Sequence, residues 1–348
     1  MSPRPPTIKD VALAAQVSFK TVARVLNNEL GVRETLRARV LAAVDQLGYT
    51  PNISARGLSG AGSRMVVLIS MAPDGAFREN FDYMAAVQAA AVRACRAHGY
   101  NLAIEAARDN ETLIKAIDAA LALAPEGLLV LPPLCDHPAA LEELDVPVVR
   151  IAPTVGADLG WSVRMDDKAA AFAMTRHLLD LGHTDIAFIQ GHPDHGASAL
   201  RLAGFLEAME QAGAPPSPSR LEQGNFTFAS GRASGLRLLA RAEDRPTAIF
   251  AANDLTALGV IAAATELGLQ VPKDVSVAGF DDSNAARMAW PELTTIRQPL
   301  EAFARAAVEQ VIAGDAGEVR RSVAFELLAR GSTGAPATQG PSGLSVRA

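Results

Sequence analysis

VSFKTVARVLNN, residues 17–28, sets Val22, Val25 and Leu26 on one face at the 3.6-residue spacing of a helix, with Ser18 as its N-cap. The other face opens with Phe19 and Lys20, in a chain of 348 residues whose formal net charge is −6. Upstream, Thr7-Ile8-Lys9-Asp10 has the form of a capping box, and Ile8, Val11 and Ala12 continue as the apolar side of a short helix ending near Ala15. Two short helices joined by a tight turn form a helix-turn-helix, whose second helix lies in the major groove with its first residues at base edges. Downstream, Glu34 to Leu47 reads as a third helix, supplying Leu36, Val40, Leu41 and Val44 to a miniature core, and Gly48 stops it. Phe19 then faces outward rather than into that core, because Val17 and Val22 already fill the inner side.

Charge supports this reading. Residues 1–60 hold Arg4, Lys9, Lys20, Arg24, Arg33, Arg37, Arg39 and Arg56 against Asp10, Glu29, Glu34 and Asp45, a net of +4. A basic head on an acidic body is the electrostatic footprint of a nucleic-acid-binding module fused to something else. Two distant cysteines in apolar surroundings, Cys95 and Cys135, exclude a disulfide scaffold and favour a reducing compartment. The start, MSPRPPTIKD, lacks the apolar core of a secretory signal, and no window approaches the roughly 18 uncharged apolar residues of a membrane span, so a cytosolic protein is expected.

TIKDVA, VSFKTVARVLNN, TLRARVLAAVDQLGY and PNISARGL together resemble, in order and spacing, the head of the lactose-repressor/galactose-repressor family of bacterial transcriptional regulators. The resemblance implies a head over residues 1–50 that reads an operator through Phe19, against a thymine methyl or base edge, and Lys20, toward guanine. It also implies DNA contacts from Thr7, Ser18, Thr21, Arg24 and Asn27. Two departures stand out: Gln16 occupies a turn position where the family often has Gly, and Ala23 stands where it often has Ser.

Residues 51–62 pair a possible cap, Asn52, with Gly57, Gly60 and Gly62, which leave any helix there too weak to stand alone. By resemblance this is a hinge that folds when two copies meet on DNA. Asn52 caps it, Ala55 makes the helix–helix contact, Arg56 reaches the backbone, and Leu58 wedges into the minor groove.

Beyond Arg64, the buried runs MVVLIS, NLAIEA, GLLVL, VPVVRI, DIAFIQ, TAIFAA and DVSVAGF alternate with helices at 83–98, 110–123, 167–181, 198–212 and 253–267. Repeated βα units mean an α/β body, two doubly wound parallel-sheet lobes like those of periplasmic sugar-binding proteins. A long connection near 152–163 is expected between them. Residues 64–334 form this body, with lobe 1 at about 64–163 and 293–322 and lobe 2 at about 164–292 and 323–334. The Pro/Gly/Ser-rich stretch 335–348 reads as a disordered tail.

Ligands in open α/β sheets sit beyond the carboxyl ends of strands. There the chain places Asn253-Asp254 and Asp281-Asp282, with Arg201 on a following helix and Phe226 as a stacking surface, a set suited to a small polyhydroxylated ligand. DDKAAAFAMTRHLLDLGHTDIAFIQG, RLAGFLEAM, FAANDLTALGV, VSVAGFDDS, WPELTTIRQPL and ELLARGST are similar to signatures of the same family, which implies effector contacts from Arg201, Asn253, Asp281 and Phe226. Asn80 and Tyr83 are weaker candidates, because SMAPDGAFRENFDYM is longer than the family pattern.

The bland readings make Asp166, Asp167, Asp254 and Asp282 helix caps or solvated groups, Asp281–Arg201 a structural ion pair, and His192 and His195 loop residues rather than metal ligands. Without a nucleophile elbow, phosphate loop or CxxC, catalysis is not expected, and neither is a cofactor. The expected protein is a homodimeric repressor of carbohydrate catabolism genes, bound to a pseudo-palindromic operator and controlled by a sugar-like effector. The alternatives are a regulator responding to a purine or other metabolite, and a sugar-binding receptor without regulatory role.

Overall fold

In a computed structural model of the chain, residues 6–26, 31–49, 63–72, 81–142, 144–156, 159–314 and 319–337 are described, in two compact units, Met1–Ser63 and Arg64–Ala348. The expected hinge at 51–62, with Asn52, Ala55, Arg56 and Leu58, lies outside the described residues, as do Asn27, Asn80 and the tail beyond 337.

The first unit holds α1 (Ile8–Ala14), α2 (Phe19–Leu26) and α3 (Glu34–Leu47). Val11, Ala12, Ala15, Val22, Val25, Val40 and Ala43 form its core. On α3 the buried face therefore runs through Val40, Ala43, Val44 and Leu47, whereas Leu41, expected inside, is 49% exposed. One position past Val40 is about 100° around the helix, enough to turn Leu41 outward. Gln16 holds φ +51, so the turn does demand a left-handed backbone from a non-glycine residue. Arg39 stabilises that turn, donating to the carbonyls of Ala15 (2.5 Å) and Gln16 (3.3 Å).

The second unit contains two parallel sheets. The first has the order β11-β5-β4-β3-β1-β2, from β1 (Met65–Met71), β2 (Asn101–Ala107), β3 (Gly127–Val130), β4 (Val148–Ile151), β5 (Trp161–Arg164) and β11 (Arg320–Ser322). In β1, Val66 and Leu68 enter one apolar layer and Val67 and Ile69 the other. Helices α4 (Phe81–Ala97) and α11 (Leu300–Ala313) cover the first face, and α5 (Asn110–Ala122) the second. Burial on both faces is why these strands read as unbroken apolar runs.

The second sheet has the order β7-β6-β8-β9, from β6 (Ile186–Ile189), β7 (Leu221–Glu222), β8 (Ala248–Ala251) and β9 (Ser276–Ala278). Helices α6 (Asp167–Asp180) and α7 (Gly196–Gln211) pack on one face, where Phe188 stacks on Phe205 with centroids 5.0 Å apart. On the other face α8 (Phe228–Leu239) and α9 (Asp254–Glu266) close over Ala187, Ile189, Ile249 and Ala251, and a short α10 (Asn284–Met288) follows.

Two strands modify the expected organisation. The supposed connection at 152–163 ends in β5, which pairs with β4 and β11; its short run, with Ser162 and Arg164, carries no apolar signal. β10 (Thr295–Arg297) pairs antiparallel with β12 (Glu326–Leu328) and lies against the second sheet, since Gly279 and Asp281 donate to the carbonyls of Thr294 (2.9 Å) and Ile296 (2.8 Å). The chain therefore returns to the first sheet after Arg297, later than the boundary expected at 292. The two lobes are joined by three crossings: β5 to α6, β10 to α11, and β11 to β12.

Candidate functional site

On the first unit, Ser18 Oγ accepts from the Thr21 N–H (3.1 Å) and lies 2.9 Å from the Thr21 hydroxyl, fixing the start of α2. Asp10 takes the Thr7 N–H (2.7 Å) and hydroxyl (2.6 Å), so Thr7 is committed to the α1 cap. Phe19 is 63% exposed and Lys20 is exposed beside it, while Thr21 and Arg24 are half-buried. The sequence places an aromatic ring in water at the start of a helix, outside the core formed by the described residues of the unit.

Within the second unit, a cleft partly open to solvent lies between the two lobes. Arg201, Phe226, Asn253, Asp281 and Tyr83 all line it. Arg201 projects from the buried face of α7. Its Nε donates to Asp167 (2.9 Å), its Nη1 donates to the Ala252 carbonyl (2.7 Å), and its guanidinium lies 3.6 Å from the Phe280 ring centroid. Asp281 stands 3.8 Å away and accepts from Gln298 Nε2 at 2.6 Å. The main ion pair of Arg201 is thus with Asp167, which is buried rather than solvated; Asp166 beside it caps α6 through the Ala169 N–H.

Asn253 is used internally: it caps α9 by accepting from Thr256 N–H (3.0 Å) and donates to the Phe226 carbonyl (3.0 Å). Phe226 sits at φ +58 with its ring over Gly191, where a Cβ would come within 2.0 Å of Cζ, so only glycine fits beneath it. Asp281 and Asp282 also have positive φ, +123 and +56, and backbone strain gathered at one place is common at ligand sites.

Electrostatics at the cleft follow from burial. Burial raises the Asp281 carboxyl above the ordinary range, and Arg201 offsets only part of that. Asp254, at the start of α9, is fully buried, accepts from the Thr295 hydroxyl (2.6 Å) and Ser283 N–H (2.7 Å), and is raised by burial and then by Asp281. Tyr83 is pushed up in the same way, by burial first and Asp281 second.

Asp282 is neither a cap nor solvated. Its side chain, 1% exposed, receives Arg287 (2.6 Å), Arg297 (2.7 Å) and Arg330 (2.5 Å). Burial alone would raise this carboxyl, but hydrogen bonds from the three arginines hold it below its ordinary value. The node ties β10 and the segment after β12 to the second lobe.

His195 lies in a loop, as read from sequence, and also lines the cleft. It precedes α7 and meets Phe226 edge-on at 5.4 Å; its Nδ1 is buried without a hydrogen-bond partner. Burial and then Arg201 push it down to about 4, leaving a neutral imidazole. No local pattern announces this, because the groups that bury it come from distant segments. Among the described residues no cluster of His, Cys, Asp or Glu is placed to hold a metal ion, and no helix is long and apolar enough to cross a membrane.

A three-helix unit with an exposed ring and cation on its second helix, joined to two α/β lobes around a polar, aromatic-floored cleft, defines a ligand-responsive DNA-binding regulator. Residues 7–52 match the model of bacterial regulatory proteins of the lacI family, and residues 175–333 that of the periplasmic binding protein-like domain. The HTH-type transcriptional regulator DegA of Bacillus subtilis is 35% identical over 303 residues, covering 85% of this chain and 87% of its own. The chain belongs to the lacI family of bacterial regulatory proteins, and is a DNA-binding transcriptional regulator rather than an enzyme. It is also 34% identical over 316 residues to the transcriptional repressor PurR of Edwardsiella ictaluri, covering 88% of this chain and 89% of that one. Among solved structures, a lac repressor dimer bound to operator and the anti-inducer ONPF superposes with a TM-score of 0.78 at 28% identity, over 95% of this chain and all of that one. A complex of the regulator CelR with cellobiose gives 0.69 at 29% identity, over 94% and 99%.

Proposed function

We propose that the protein is a homodimeric repressor whose affinity for a pseudo-palindromic operator is set by a small polyhydroxylated effector held between the lobes. The observation that carries this reading is the convergence of Arg201, Asp281 and Phe226 on one cleft. A carboxylate takes hydroxyl hydrogens, a guanidinium fixes orientation, and an aromatic face accepts the apolar side of a sugar ring. The CelR likeness, a cellobiose complex, supports a carbohydrate; the PurR and lac repressor likenesses support repression.

On DNA, Phe19 and Lys20 read base edges, Thr21 and Arg24 hold phosphates, and residues 51–62 act as the hinge, with Leu58 as its wedge. Pairing follows from the small footprint of one recognition helix and from apolar groups left in water, chiefly Met288 and Trp290, the latter 91% exposed. The place of action is the cytosol.

The test is operator selection from genomic fragments with the full-length protein, then fluorescence anisotropy on the recovered duplex with neutral sugars, sugar derivatives and nucleobases. The reading requires one of them to change operator affinity about 5- to 150-fold. A selected operator indifferent to every compound that binds the protein would defeat it.

A further inference from the structure

The charge in the cleft, among the described residues, is unbalanced. Among the described residues lining it, the acidic and basic side chains besides Tyr83 and His195 are Asp167, Arg201 and Asp281, so two carboxyl groups face one guanidinium. That guanidinium's charge is already paired, through Nε to Asp167 at 2.9 Å with Asp281 at 3.8 Å, while Nη1 donates to the Ala252 carbonyl at 2.7 Å and the plane lies by the Phe280 ring; its other N–H groups can still orient a ligand. His195 adds no positive charge, because its imidazole is neutral there. The side-chain amides do not relieve the excess either: Asn253 Nδ2 donates to Phe226 O, and Gln298 Nε2 donates to Asp281.

What remains for a ligand is a set of acceptors together with donors that are neutral, such as the Tyr83 hydroxyl, or belong to a guanidinium already paired with a carboxylate. Asp281 has lone pairs beyond the one facing Gln298, and His195 Nδ1 is buried and unmatched. A phosphate or carboxylate entering this site would meet a like charge in a partly desolvated space, with the nearest cation already neutralised.

We propose that the cleft selects an uncharged, hydroxyl-rich ligand and excludes anionic ones, so that sugar phosphates, sugar acids and nucleotides are rejected where their uncharged parents are accepted. The proposal rests on the effector reading above and adds a selection rule to it. Asp281 sets the rule, repelling anions and accepting hydroxyl hydrogens with the same two oxygens.

The full-length protein can be tested by thermal shift and calorimetry in two arms. In one arm, matched sets are compared: glucose with glucose 6-phosphate and glucuronate, galactose with galacturonate, cellobiose with cellobionate, and adenosine with its monophosphate. An uncharged member that binds on the order of 100-fold tighter than its anionic partner supports the rule. An anionic member that binds as well as its parent overturns it, while leaving the effector reading intact if that compound shifts operator affinity. In the other arm, inorganic phosphate and sulfate are compared with chloride at matched ionic strength. Equal melting temperatures are expected; a phosphate-specific rise that disappears in Arg201→Ala also overturns the rule. An uncharged binder that leaves operator affinity untouched would instead count against the effector reading alone.

Discussion

Gly196, at the start of α7 in the second lobe, faces Thr154 of the first so closely that a Cβ would lie 1.9 Å from the Thr154 hydroxyl oxygen. Thr154 cannot easily retreat, because Asp136 accepts both its N–H (2.6 Å) and its hydroxyl (2.5 Å). The lobes therefore touch where only glycine is tolerated. Gly196→Ala should wedge the lobes apart and weaken binding of whichever compound shifts operator affinity, by roughly tenfold or more. Calorimetry with small-angle scattering checks this; unchanged affinity and an unchanged scattering radius would show that the contact plays no part in closure.

Asp281 predicts the pH dependence of that affinity. Its carboxyl is raised from 3.8 to about 6, so below that pH it protonates and loses acceptor capacity. Affinity should fall by a factor approaching ten per pH unit from 6 toward 5 and be level from 7 to 8. Folding has the opposite sign. Raised carboxyls such as Asp281 and Asp254 contribute stability that is full below their unfolded values and lost as pH rises through their folded ones. A titration of Kd against pH, repeated with Asp281→Asn, should show the slope in the natural protein and a flat, weaker profile in the variant.

Asp282 behaves as a depressed acid. Its contribution is present above pH 3.8 and is lost as pH falls through its lower folded value. Asp282→Asn leaves Arg330, 14% exposed at its side chain, with only a long 3.9 Å contact to the exposed Glu292 in place of its close charge partner, whereas Arg287 and Arg297 can turn to solvent. A loss of about 2 kcal/mol is expected, below the 3–5 of a fully buried pair. Urea unfolding at pH 7 measures it, and the difference should shrink at pH 3.

On DNA, Lys20→Ala should relax base preference at one or two positions at about 1–3 kcal/mol, while Arg24→Ala should weaken all duplexes more evenly and reduce the salt slope. Equal losses on operator and random duplex for Lys20→Ala would assign it to the backbone alone.

Trp290 offers a separate check on pairing. Trp290→Glu puts a charge on a surface that the proposed dimer would bury, so sedimentation should move toward the monomer with the fold intact by circular dichroism. A variant that remains dimeric would place the interface elsewhere.

Local chemistry was legible in the sequence, and long-range chemistry was not. Caps and periodicity marked α1 and α2 because Thr7, Asp10, Ser18 and Thr21 interact within one turn. Apolar runs marked the central strands because both faces are covered. Strands β5, β10 and β11 escaped, being only three or four residues long and carrying arginine or serine; what makes them strands is the neighbour each pairs with. The same distinction runs through the cleft. Arg201 and Asp281 stood out as polar groups near strand exits, whereas the partnership of Arg201 with Asp167 and the burial of His195 depend on segments that meet only in the fold.

Three chain crossings join the lobes, at 165–166, 298–299 and 323–325. Two of these tethers touch, Val323 donating to the Arg164 carbonyl at 2.8 Å, and three tethers constrain slide and stretch between two bodies more than a change of angle. On the proposed effector reading, whatever occupies the cleft is reported to the rest of the molecule as one scalar, an angle. Two compounds of unlike chemistry that hold the same angle become indistinguishable at the operator, so discrimination between them has to be completed inside the cleft before the hinge moves.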